Sequence, residues 1–222
     1  MPRFDLYSTI HKGIRAFINS TLEKVGAMDA GDAGEVEATL AETRELLAFL
    51  RGHLQHENEF VHTAMHARQP ESSLQTAGDH VEHAQAIDDL LYCVSEVGHA
   101  TLATRHRDAQ RLYRQLALFA AENFEHMHVE ETENNAVLRS SYTDPELAED
   151  DGDHDECGLG SVEDGERGSV HPKLSFERVV QYCTIVQVRW CAYALDKLNG
   201  HYCRYICVDC RDLRGGKSRP RY

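Results

Sequence analysis

Two histidine–glutamate pairs, His53 with Glu57 and His126 with Glu130, are each four residues apart. In a helix that spacing stacks the two side chains on one face. Both pairs continue apolar stripes. Leu40, Leu47 and Leu50 run into His53, Glu57 and Val61, while Leu112, Leu116, Phe119 and Asn123 run into His126, Glu130 and Val137. His11 shares a stripe with Tyr7, Ile14, Ile18, Leu22 and Val25, and His80 and His83 share one with Ile87, Leu90 and Val94. Imidazoles and carboxylates are therefore expected to point into a core, where burial without partners costs roughly several kcal/mol each. Hydrogen bonds among them offset part of that cost. A metal ion offsets more, because it takes the lone pairs of neutral imidazoles and neutralises the carboxylates. This donor set suits iron, manganese or zinc. It also holds more ligands than one tetrahedral ion takes, and glutamates can bridge, so the count favours two metals inside a helix bundle.

Taken singly, these residues have plainer readings. His11 alone is the pattern of a satisfied core histidine, and His53 with Glu57 alone is that of a surface ion pair. Convergence of several on one core is what favours metal. His62, His66, His99, His106 and Glu59 fall off the stripes and are expected in solvent, while His56 and His128 lie at the stripe edges. Tyr7, one turn before His11, reads as core.

The elements that must position these residues follow from periodicities of three and four. They predict helices over about 4–25, 34–67, 73–97 and 107–138. "GAMDAGDAG" breaks the first, and Pro70 ends the second. Short connections predict antiparallel neighbours, hence an all-α, up-down-up-down four-helix bundle over 1–142. Residues 143–172 are acidic, Gly-rich and aperiodic, and read as a linker. Asp151, Asp153 and Asp155 lack the Gly and final Glu register of a calcium loop. Residues 173–222 form a Cys-rich extension, with Phe176 to Leu198 expected as a helix, its β-branched and aromatic residues leaving a strand as the alternative. His201, Cys203, Cys207 and Cys210 offer a zinc or iron–sulfur site, or unrelated thiols; no complete finger spacing is present.

The 222-residue chain carries a formal net charge of -14. It would be repelled by phosphate backbones, so nucleic acid is not an expected partner. No apolar run reaches bilayer length, and the first residues show no apolar export signal. Seven cysteines without such a signal read as reduced thiols or metal ligands, so a cytoplasmic location is expected. Histidine is enriched: of 14, eleven fall between His11 and His128.

His11, "HLQHE" at 53–57, "DHVEH" at 79–83 and "HMHVEE" at 126–131 together resemble the hemerythrin-like, HHE cation-binding family. The resemblance covers roughly residues 1–140. It implies a four-helix bundle around a non-haem di-iron centre, oxo- or hydroxo-bridged, with His11, His53, Glu57, His126 and Glu130 as ligands and both glutamates as candidate bridges. Oxygen-carrying members have two histidines four apart in the third helix. Here His80 and His83 are three apart; both are candidates, His83 slightly ahead. Asp79 is a candidate cap, supporting partner or substitute ligand. Those members also have an acid five residues after the fourth-helix histidine, which here is Glu131; Glu130 is favoured on register. The resemblance implies reversible binding or sensing of O2, NO, a small anion, or redox or iron state. The rivals are iron–sulfur cluster repair or peroxide chemistry at the same centre, and a metal-binding or metal-free interaction module. A protein partner or self-association through the C-terminal extension is also open.

Overall fold

The computed structural model describes residues 3–148. Most of the acidic linker and the whole Cys-rich extension, including its candidate metal site at His201, Cys203, Cys207 and Cys210, lie outside the described residues.

Every regular element among the described residues is helical. Helix α1 spans Ser8–Ala27 and not the earlier start expected from its apolar pattern. The Asp5 carboxylate accounts for the difference. It accepts from the backbone N–H groups of Tyr7 and Ser8 at 3.1 and 2.9 Å, satisfying donors that a helix N-terminus leaves open. Asp32 caps α2 (Ala33–His56) in the same way, accepting from Gly34 and Glu35. The rod does not end at His56. One wide turn, Glu57–Val61, leads into α3 (His62–Arg68) with helical backbone throughout. In that turn the N–H of His62 reaches the carbonyl of Glu57, five residues back. This is a π-turn, one residue more than an α-helix would use. Pro70 follows, and Glu71 takes a left-handed conformation, φ 70°, in the reversal that leads to α4 (Leu74–His99).

Helix α5 spans Leu102–Val129, starting earlier than its apolar pattern suggested. The first turns, "LATRHRD", have no apolar face to reveal them, but Thr101 and its carbonyl start the helix. A second π-turn, Glu130–Asn134, brings the N–H of Asn135 to the carbonyl of Glu130 and leads into α6 (Asn135–Ser141). A short helix, α7 (Asp144–Ala148), follows where the sequence reads as the start of the linker. Its Leu147 is 1% exposed and packs on the bundle.

Helix α1 packs on α2 and α5, and α4 packs on the same two, closing a ring of four neighbours. Two apolar clusters fill it. The larger includes Ile14, Ile18, Leu40, Leu47, Ile87, Leu112, Leu116 and Phe119. The smaller comprises Leu6, Tyr7, Val61, Met65, Leu138 and Leu147. Gly26 lets α1 approach α5 closely, since a Cβ there would meet the Tyr113 ring at 2.9 Å.

Candidate metal centre

Between the two apolar clusters, α1, α2, α4 and α5 turn polar side chains inward. His11 is fully buried on α1, His53 is buried near the end of α2 and Glu57 at the start of the π-turn after it, His80 and His83 on α4, and His126 near the end of α5 with Glu130 at the start of the second π-turn. Two four-residue groups result, His11–His53–Glu57–Glu130 and Glu57–His80–His126–Glu130. In each, one donor atom per residue lies within 4.8 Å of all the others. Both glutamates belong to both groups. The Glu57 oxygens lie 3.7 Å from His11 Nε2 and 3.5 Å from His80 Nε2, and 3.2 Å from His53 Nε2. The Glu130 oxygens lie 3.5 Å from His11 Nε2, 3.6 Å from His80 Nε2 and 3.3 Å from His126 Nε2. Each carboxylate thus turns one oxygen towards His11 and the other towards His80.

The donor set fits a cation. Among the described residues, no hydrogen bond satisfies His11 Nε2, His53 Nε2 or any of the four oxygens of Glu57 and Glu130, although all are shut off from solvent. Three of the four imidazoles are oriented from behind through Nδ1. His11 Nδ1 lies 3.2 Å from Glu131, His80 Nδ1 2.8 Å from the Asn58 side-chain oxygen, and His126 Nδ1 3.3 Å from Asp79. An acceptor at Nδ1 holds the proton there and leaves the Nε2 lone pair facing inward, which is how oxygen partners orient metal-bound histidines. With both protons so placed, His80 and His126 aim two lone pairs at each other across 3.0 Å. Two such nitrogens cannot hydrogen-bond to one another, but a shared cation satisfies both.

Without a cation, protons do this work. Burial pushes the His11 imidazole down, but the Glu131, Glu57 and Glu130 carboxylates outweigh it and hold the group at about 9. His126 is raised too, against its burial, chiefly by Glu130. Burial and mutual repulsion push Glu57 up, yet His53, His11 and His80 bring it below its ordinary value. Glu130 falls well below, its burial outweighed by His126 and His80. The centre therefore holds two anionic carboxylates that demand positive charge, and buried His/Glu groups of this composition can hold a metal ion.

The remaining candidates occupy other places. Glu131 belongs to neither group; it accepts from His11 and forms a two-pronged ion pair with Arg15, at 2.5 and 3.1 Å. Its carboxyl is drawn down to about 2, first by the His11 hydrogen bond. His83, expected slightly ahead of His80, lies outside both groups, its ring edge-on to His126 at 4.8 Å between centroids. His66, His99, His106, His128 and Glu59 are exposed, and His56 bonds its own helix at the Gly52 carbonyl.

His62 is a correction: expected in solvent, it is 6% exposed and stacks on His80 with ring centroids 4.7 Å apart. Its Nε2 meets the Thr76 hydroxyl at 3.2 Å, and the Asn134 amide donates to that hydroxyl and to the Tyr7 hydroxyl. The π-turn explains the discrepancy. His62 sits five residues after Glu57, off the face in an α-helix but back on it once the turn takes in an extra residue. A helical wheel carries no sign of that insertion.

Compared with known proteins, the chain matches no protein family and no curated sequence.

Proposed function

We propose that this chain is a non-haem di-iron protein of the hemerythrin-like kind, which reversibly binds or senses O2, NO or redox state. The observation that carries the reading is the pair of buried glutamates, each turning one oxygen to His11 and the other to His80 with no hydrogen bond to satisfy them. His11 and His53 would hold one ion and His80 and His126 the other, with Glu57 and Glu130 shared between them. Glu131, Asn58 and Asp79 keep three of those imidazoles aimed inward through Nδ1. A di-iron pair supplies coordination positions for a diatomic or small anionic ligand, and one-electron redox chemistry. Around it, apolar walls from both clusters exclude bulk water.

The up-down-up-down antiparallel path belongs to the same reading. Leu6 and Tyr7 of the smaller cluster precede α1, whose His11 is followed by Ile14, Ile18 and Val25 of the larger; on α2 and α5 larger-cluster residues such as Leu47 and Leu116 precede the ligands, and Val61 and Leu138 of the smaller cluster follow them. On α4, His80 precedes Ile87, Leu90 and Val94 of the larger cluster. Alternation of this kind is what antiparallel neighbours joined by short connections produce.

Metal analysis of the protein purified without chelators tests the proposal, with about two irons per chain expected from the two ligand groups. Zinc alone, or no metal, overturns it. For the iron-loaded protein, a charge-transfer band that appears with O2 and disappears on its removal supports reversible binding. Rapid turnover of peroxide points instead to the enzymatic rival.

A further inference from the structure

A cleft of about 300 Å³ opens on the α4–α5 face, lined among others by Asp79, Glu82, His83, Glu122, Glu125 and His126. Glu82, Glu122 and Glu125 are exposed, and no lysine or arginine lines the cleft. Among the described residues none of these three carboxylates forms an ion pair. Four acids around one opening repel each other, and a concave surface of one sign focuses its field on counter-ions. At the inner wall is His83, 6% exposed, which lines the cleft yet finds no hydrogen-bond partner among the described residues; its Nδ1 is shut off from solvent altogether. An unpartnered, largely buried imidazole at the wall of an acidic cleft has a lone pair to offer a cation. His83 also touches His126, a member of the inner groups, and Asp79 reaches the same histidine through its Nδ1.

We propose that this cleft is an intake site for divalent cations: Glu82, Glu122 and Glu125 collect a partly hydrated metal ion, and His83 with Asp79 pass it to His126. The inference rests on the metal centre proposed above. The shape suits passage. The cleft has room for an ion with several waters, each taking about 30 Å³. Its donors do not converge as tightly as those of the inner groups, where all lie within 4.8 Å. Loose donors of this kind bind weakly enough to release.

The experiment is rapid mixing of the metal-free full-length chain with iron(II) without oxygen, or with cobalt(II), followed by absorbance at low and high salt. The triple variant E82Q/E122Q/E125Q loads about tenfold or more slowly at low salt, on the usual scale of electrostatic steering. Its final metal content equals that of the parent, and the difference shrinks at high salt. The control E23Q/E37Q/E45Q, three exposed acids on α1 and α2, loads like the parent. His83→Ala slows loading at both salt concentrations and reaches full content. Parent-like loading by the acidic triple variant overturns the proposal. So does loss of bound metal at equilibrium in His83→Ala, which would make His83 a resident ligand. If the parent itself takes up no metal, the centre is wrong and the intake falls with it.

Discussion

Glu57 and Glu130 each face three imidazoles and belong to both ligand groups, as no other acid among the described residues does. Replacing His53 or Glu57 by alanine should therefore cost bound metal and lower the melting temperature together, because metal binding contributes to folding. His62→Gln should keep its iron, since His62 touches His80 by stacking and is no member of either ligand group. Full metal content in both His53→Ala and Glu57→Ala would sink the assignment. His62 makes a separate prediction about pH. Burial, with His80 beside it, holds its imidazole down at about 4, and burial with His126 does the same to His83. Unfolded, both take up protons below about 6.5. The metal-free protein should thus be at full strength in this respect above that value and lose stability as pH falls from 6.5 to 4, because the unfolded state binds more protons there. His62→Gln should flatten the slope by about one proton, roughly 1.4 kcal/mol per pH unit. Denaturant titrations at stepped pH read this directly, and an unchanged slope would refute it. At this scale the sequence was legible wherever ligands repeat at four residues: His53 with Glu57, His126 with Glu130. His80 and His83, three apart on one face, are equally inward by register. Only the neighbours across the bundle separate them, His80 meeting Glu57 and Glu130, and His83 meeting Phe119 and His126.

Both shared glutamates open a π-turn, Glu57–Val61 on one rod and Glu130–Asn134 on another. Such turns are rare and cluster at functional sites. Here each sets the register between the ligands before it and the small apolar cluster after it. Deleting Glu59, exposed within the first turn, would restore an α-helix and rotate one side against the other by about 100°. Val61 and Met65 would then leave the core, at roughly 1.5–3 kcal/mol each, or Glu57 would leave the site. Circular dichroism should show unchanged helicity, with a large fall in melting temperature or metal content. A deletion variant that keeps both would show that the turn does not set the register. The four long rods themselves were readable from apolar periodicity, and two of their ends from the "GAMDAGDAG" break and Pro70. Less readable were the polar start of α5, which presents no apolar face, and the Asp5 cap that delays α1. Helix α7 was hidden because a single anchoring leucine, Leu147, makes no period.

Across the whole molecule, the ligand band lies between two apolar cores of unequal size, one drawing on all four rods and one of six residues. The two cores form separate clusters, and the band between them holds two buried carboxylates that demand positive charge. The molecule should accordingly behave as two cooperative units linked by the metal. With metal removed, amides of α3, α6 and α7 should exchange with solvent through local openings, well before those flanking Leu47 and Leu116. With metal bound, the two sets should exchange at closer rates, because opening the small unit would then also require releasing the ion. Hydrogen exchange with and without iron would show whether the ion serves as the seam that makes one folding unit out of two.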